Sequence, residues 1–246
     1  MTVGGAAAWV AAWLAGCGAG TIPAIHSEAE RLEVARRLVA RGENTVAIDM
    51  LKTYVANNGG SAEVDEALYL LGGCYLRTKD WASASLEFER LLRDYPESDS
   101  GASAAFRLGE ALFGEARPSD FDQEYTLKAV NQWQSYLRAY PGHWLNVEAE
   151  RRLQMARRRL ATKLLNTARL YLKLRLKEPA RVYFERVDQQ FGDLDVVGEA
   201  WLGLATIEAG EGKRDQAVAR LAEIETRFPG RPVAARAARE RARLKL

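Results

Sequence analysis

Five times along the chain a small residue is followed twelve positions on by Ala, then four on by an apolar residue, then eight on by Pro or Gly. The clearest copies are Gly72, Ala84, Phe88, Pro96 and Ala205, Ala217, Leu221, Pro229. Ala35, Ala47, Leu51, Gly59 and Ala168, Ala180, Phe184, Gly192 keep the same spacing, while Gly109, Ala129, Trp133, Pro141 stretches the first gap to twenty. A small residue lets one helix lie close against the next. The apolar residue four positions after Ala shares its helix face, because i and i+4 are neighbours. Pro or Gly then stops the second helix and turns the chain. A chain so constrained stacks helical hairpins one on another, and it builds a surface for binding more readily than a pocket for chemistry.

This is the spacing of the tetratricopeptide repeat. The expected fold class is all-α, a solenoid of about five helical hairpins with a C-terminal capping helix. Helices are expected at about 28–41, 44–57, 62–78, 80–95, 101–116, 122–140, 145–176, 178–191, 195–210, 213–228 and 232–245. No alternating pattern calls for a strand. The last helix has no partner and is expected to cover the apolar face of the fifth repeat. The expected organisation is a leader over 1–17, a tether over 18–27 and one continuous repeat domain over 28–246.

The leader reading rests on residues 6–16, AAAWVAAWLAG, which are apolar and uncharged. Eleven helical residues rise only about 16 Å, too short for a hydrocarbon core of about 30 Å. The run reads as the apolar region of a signal peptide. It ends in Leu14-Ala15-Gly16-Cys17, which resembles the bacterial lipobox, although Met1–Gly5 carries no Lys or Arg where a positive region is expected. The resemblance implies that Cys17 is the lipid attachment site, diacylated at the mature N-terminus. Gly18 in the next position implies sorting to the outer membrane. The other cysteine, Cys74, reads as a small buried core residue.

Charge is unevenly spread. Residues 1–150 carry 13 basic and 21 acidic side chains, residues 151–186 carry 12 and 2, and residues 187–246 carry 10 of each. Within the basic block Glu178 and Glu185 are the only acids, so little internal neutralisation is expected, with pairing to acidic neighbours in other repeats left open. Arg151, Arg152, Arg158, Arg159 and Lys163 fall on the extra turns of an unusually long helix and are the expected partner-binding residues. Apolar Leu153, Ala156, Leu160, Leu164, Ala168 and Tyr171 follow the same helix at helical spacing. A second irregularity is the insert from Glu115 to Glu124 inside the third repeat. The repeat phase places Leu32, Arg36, Tyr69, Phe106 and Phe113 on the inner face of the first three repeats, as a candidate substrate groove whose exposed apolar residues would pack against an extended peptide, while packing of Phe106 and Phe113 inside the solenoid stays open.

No catalytic pattern is present. His26 and His143 have no nearby Ser, Cys or second His in a nucleophile or metal arrangement, and there is no phosphate-cradling glycine loop. No enzyme activity, metal or cofactor is expected. The basic block invites a nucleic-acid reading, but a secreted, lipid-anchored protein would meet little nucleic acid, and no nucleic-acid partner is expected.

The run Ser119-Asp120-Phe121-Asp122-Gln123-Glu124-Tyr125-Thr126-Leu127-Lys128-Ala129, with Tyr140-Pro141, resembles the third repeat of BamD-type lipoproteins. So do Arg157-Arg158-Arg159-Leu160-Ala161, Ala168-Arg169-Leu170-Tyr171-Leu172, and Ala180 with Arg186. The resemblance covers about residues 28–229. It implies a lipid-anchored scaffold on the periplasmic side of the outer membrane, part of the machinery that folds and inserts β-barrel proteins. The implied partners are unfolded outer-membrane proteins at the first repeats, the periplasmic domains of the insertase at the later ones, and other lipoproteins of the machinery. A different periplasmic adaptor of the same fold, in envelope division or peptidoglycan coordination, stays open.

Overall fold

The computed structural model describes residues 26–245. The expected leader, Cys17 and almost all of the tether lie outside the described residues. Within them the chain forms eleven helices: α1 Glu28–Arg41, α2 Asn44–Asn57, α3 Val64–Thr78, α4 Trp81–Asp94, α5 Gly101–Glu115, α6 Glu124–Ala139, α7 Asn146–Lys173, α8 Lys177–Phe191, α9 Val197–Gly210, α10 Arg214–Arg227 and α11 Pro232–Lys245. Each helix packs against the next, and first helices of successive hairpins also touch. The result is the expected all-α solenoid of five hairpins and a terminal helix. None of these helices is long and apolar enough to cross a membrane.

Local chemistry sets the ends. Ser27 caps α1 by accepting from the Glu30 backbone N–H at 3.1 Å, and Asp80 caps α4 by accepting from that of Ser83 at 3.2 Å. Gly42, at φ 78°, closes α1 in the left-handed region that glycine enters without a Cβ clash. The second helices α4, α6 and α10 stop at Tyr95, Tyr140 and Phe228. Each stands immediately before a proline, which restricts the backbone of the residue preceding it.

Small residues are required where helices cross. A Cβ on Gly72 would lie 2.7 Å from the Phe88 ring, and one on Gly109 would lie 2.3 Å from the Trp133 indole nitrogen. Phe88 and Trp133 are fully buried, and the Trp133 N–H donates to the Phe106 carbonyl at 3.2 Å. These are two of the pairs that the repeat spacing picks out. Cys74 is buried, and burial raises its thiol pKa.

The core is not a single continuous body. One cluster fills repeats one to three and takes in Ala149 and Ala156 from the first half of α7. A second fills repeats four and five, takes Leu165 and Ala168 from the second half of α7, and is covered by Val233 and Ala237 of α11. A small third cluster, Ala161 with Phe191 and Leu194, sits between them. Leu160 and Leu164 pass the packing from one to the next. The 28 residues of α7 therefore serve two bodies at once. A single-repeat helix could not, since each turn rises only about 5.4 Å.

Candidate functional site

The insert of repeat three and the long helix of repeat four form one unit. Residues 116–123 leave α5 and are gathered by Gln123, whose amide nitrogen lies 2.8–3.3 Å from the carbonyls of Arg117, Pro118, Phe121 and Asp122. Its amide oxygen accepts from the buried Thr126 hydroxyl at 2.8 Å. The Arg117 guanidinium lies 4.1 Å above the Phe121 ring. From α7, Lys163 donates to the Asp120 carbonyl at 2.7 Å, Asn166 donates to the Asp120 carboxylate at 2.7 Å, and Arg159 donates to the Ala116 carbonyl at 3.3 Å. Arg159 also lies 4.0 Å above the ring of Phe113, which in turn packs on Trp133. Burial lowers the Arg159 pKa.

Arg151, Arg152, Arg157 and Arg158 of α7 are also engaged, and the expectation of little internal pairing is corrected. Arg151 and Arg152 both hold Glu148, at 2.6 Å, and Arg152 also reaches Glu110 of α5 at 3.1 Å. Hydrogen bonds from Arg151, then Arg152, pull the Glu148 carboxyl down to about 2, whereas burial pushes that of Glu110 up despite Arg152. Arg157 clamps Asp193 at 2.5 and 2.8 Å, and Arg158 meets Asp195, which Arg231 shares. The counter-charges stand outside residues 151–186, which is why a count within the block missed them. Arg159 and Lys163 are packing elements of the insert, while Arg151 and Arg158 keep more than half of their side chains exposed.

The exposed surface of this unit is partly apolar. Trp144 and Val147, at the head of α7, are 76% and 79% exposed, and Met155 is exposed two turns further along. Val147, Arg151 and Met155 follow one another at i+4 spacing and so share a side of the helix. Sequence reasoning passed over this patch. A Trp in the short turn after Pro141-Gly142, where polar residues are usual, was the available signal.

The inner face of the first three repeats differs from the apolar groove that was expected. Leu32 and Phe106 are only 2% and 4% exposed and belong to the core, so they are withdrawn as groove residues. Phe106 packs edge-on against Tyr136. Phe113 is half-buried beneath Arg159. Arg36 and Tyr69 stay partly exposed, but in polar bridges between first helices. Arg36 of α1 grips Glu66 of α3 at 2.6 and 2.8 Å, and Arg107 of α5 donates to the Tyr69 hydroxyl of α3 at 2.9 Å. The series continues with Arg152–Glu110 between α7 and α5, and then Arg169–Glu199 and Arg236–Glu199, joining α7, α9 and α11 at 2.7–2.8 Å. Where the spacing suggested apolar contacts, a ladder of charge-assisted bonds ties neighbouring repeats together.

A groove of about 840 Å3 opens over α9, between α7 and α11, with Leu172 and Leu202 among its walls. Its carboxylates are already paired, Glu199 as above and Glu240 with Arg243. Among the described residues no group of three or more His, Cys, Asp or Glu could hold a metal ion. His143 is engaged by the Tyr136 hydroxyl at 2.7 Å.

Comparison with known proteins bears on this arrangement. Three solved structures illustrate the likeness. A thermophilic tetratricopeptide-repeat protein of Thermus thermophilus is 20% identical, covering 86% of this chain and 97% of that one, at a TM-score of 0.40. A tetratricopeptide repeat protein of Parabacteroides merdae is 19% identical, covering 88% and 72%, at 0.38. MamA of Desulfovibrio magneticus is 15% identical, covering 85% and 100%, at 0.42. No curated protein matches. The family model described as YfiO, outer membrane lipoprotein, matches residues 73–210, more than half of the chain and a span that holds the insert and the whole of α7. The chain therefore belongs to the YfiO family of outer membrane lipoproteins, the BamD type, and is a tetratricopeptide-repeat member of it.

Proposed function

We propose that this protein is a non-enzymatic, lipid-anchored scaffold on the periplasmic side of the outer membrane, where it serves the machinery that assembles β-barrel proteins. The observation that carries the reading is the insert of repeat three locked onto the extra turns of α7 by Arg159, Lys163 and Asn166. A standard repeat hairpin of about 34 residues has neither feature. The first turns of α7 carry Val147, Arg151 and Met155 exposed, with Trp144 exposed in the turn before them. An exposed aromatic anchor beside a half-free arginine is the composition of a protein-contact hot spot. The patch is proposed to dock the periplasmic part of the insertase, with Arg158 at its rim and Arg152, Arg159 and Lys163 holding its shape.

The first three repeats are proposed to receive unfolded barrel substrates, through Arg36 and Tyr69 on the polar ladder rather than through an apolar groove. Other lipoproteins of the machinery are further proposed partners, and Cys17 is the proposed lipid attachment site. Photo-crosslinkers at Val147 and Arg151 should capture the insertase from membranes, and crosslinkers at Arg36 and Tyr69 should capture nascent barrel proteins. Capture of division or peptidoglycan enzymes in their place would favour the alternative adaptor.

A further inference from the structure

The first helices α1, α3, α7 and α9 all end in the same turn. Gly42, Lys79, Arg175 and Gly212 each take a left-handed φ, of 78°, 62°, 62° and 78°. Each donates its N–H to the carbonyl three residues back, and the next residue donates to the carbonyl five residues back. The four hairpin tips can therefore be compared position by position. The residues on either side of the left-handed position are Arg41 and Glu43, Thr78 and Asp80, and Glu211 and Lys213 in three of them. In the fourth they are Leu174 and Leu176.

These leucines are 59% and 47% exposed, and Leu170, one turn before Leu174, is 56% exposed. Every residue from Lys173 to Pro179 is exposed. Cations alternate with the leucines. Among the described residues Lys173 and Arg175 make no ion pair. The one nearby acid in the tip, Glu178, faces Arg181, and the Lys177 ammonium is engaged by the Gly210 carbonyl at 2.7 Å. Arg175 also occupies a backbone region where Gly would be less strained, as repeats one and five demonstrate. The fourth tip thus holds apolar and cationic side chains that contribute little to its own fold.

We infer that the α7–α8 hairpin tip is a membrane-contact element, seating Leu170, Leu174 and Leu176 among the headgroups of an anionic bilayer with Lys173 and Arg175 on the lipid phosphates. A bilayer is the occupant that fits, because the family to which the chain belongs is one of outer membrane lipoproteins. Leucines interleaved with unpaired cations match an interface in which phosphates lie above acyl chains. Such a contact is weak alone, but it acts as a second attachment beside a lipid anchor and would fix the orientation of the solenoid on the membrane. The inference rests on family membership and not on the docking of an insertase.

The test uses the acylated full chain on vesicles containing phosphatidylglycerol and nitroxide-bearing lipid. An environment-sensitive fluorophore is attached at Leu174→Cys, or at Thr78→Cys on the matching tip of repeat two. The parent chain, with Cys74 buried and Cys17 acylated, should take up no label, so a failed anchor would show itself separately. The label at 174 should be quenched by the lipid nitroxide and the label at 78 should not. Lys173→Glu with Arg175→Glu should abolish the quenching at 174. Equal quenching at the two tips, quenching indifferent to the charge reversal, or protection of 174 only after a soluble envelope extract is added would overturn the proposal, the last in favour of a protein partner.

Discussion

The Arg159 guanidinium lies over the Phe113 ring, 4.0 Å from its centre, and donates at 3.3 Å to the Ala116 carbonyl just beyond it. One side chain from repeat four thereby closes the end of α5 and the start of the insert. A cation over an aromatic face contributes about 0.5–2 kcal/mol depending on desolvation, and a hydrogen bond adds about 1 kcal/mol. Arg159→Ala should therefore lower the unfolding free energy in urea by about 1–3 kcal/mol. Arg159→Lys should restore little of this, since an ammonium does not stack as a planar guanidinium does. Full stability of the Lys variant would show that the planar stack is not what matters.

The close helix crossings make the opposite demand from helix propensity. Within a helix, Gly→Ala should gain about 1 kcal/mol, while overpacking a filled core costs about 1–3 kcal/mol. At Gly109 an added Cβ would meet the rigid, buried Trp133 at 2.3 Å, so the clash should win. Gly109→Ala is expected to destabilise, and Gly72→Ala to do so less, since its nearest approach is 2.7 Å. Denaturant midpoints of the two variants decide the matter. A rise at Gly109 would mean that the crossing is looser than described.

Glu148 gives the fold an acid-sensitive contact. Its folded carboxyl lies at about 2, below the ordinary 4.5, because it accepts from Arg151 and Arg152. A depressed carboxylate contributes above its unfolded pKa, and the contribution is lost as pH falls through the folded one. Glu148→Gln should therefore lower Tm at neutral pH, and the difference from the parent should shrink between about pH 4.5 and pH 2. The effect is small because the pair is solvent-screened. Glu110 has the reverse sign, since burial raises its pKa, and its contribution weakens as pH rises. A Tm difference for Glu148→Gln that does not change with pH would contradict the pairing.

The anchor is tested separately. Cys17→Ala should move the protein from the membrane pellet to the soluble fraction in cells lacking the proposed partners. Retention after a carbonate wash would remove Cys17 as the attachment site.

Much of the fold was legible in the sequence because repeat spacing is a local property. All eleven helices begin and end within three residues of expectation, and the insert and the long helix were both visible as departures from the period. Their union was not, since Lys163 and Asp120 are 43 positions apart and meet only when hairpins stack. The same blindness left Arg157 and Arg158 seeming unpaired, though Asp193 and Asp195 lie 36 and 37 positions on. Leu32 and Phe106 were misplaced for another reason. Repeat phase identifies the side of a first helix that meets its own partner, but the side that meets the neighbouring hairpin is buried as well. Those two residues lie in the core, and the bridges of Arg36, Tyr69 and Glu110 take up the face that remains.

Because Arg159 and Lys163 hold the insert, reversing their charge would disturb the fold and the interface together. Trp144 and Val147 touch the core little and separate the two effects. The decisive measurement is affinity purification of the tagged protein from detergent-extracted membranes, comparing the parent with Trp144→Ala/Val147→Ser after circular dichroism has shown equal helical content. Loss of an anchor tryptophan at a contact centre costs at least about 2 kcal/mol, or roughly thirtyfold in affinity. The account predicts that the insertase disappears from the eluate of the variant while the variant itself stays folded and membrane-bound. Undiminished insertase in the eluate of the folded double variant would contradict it.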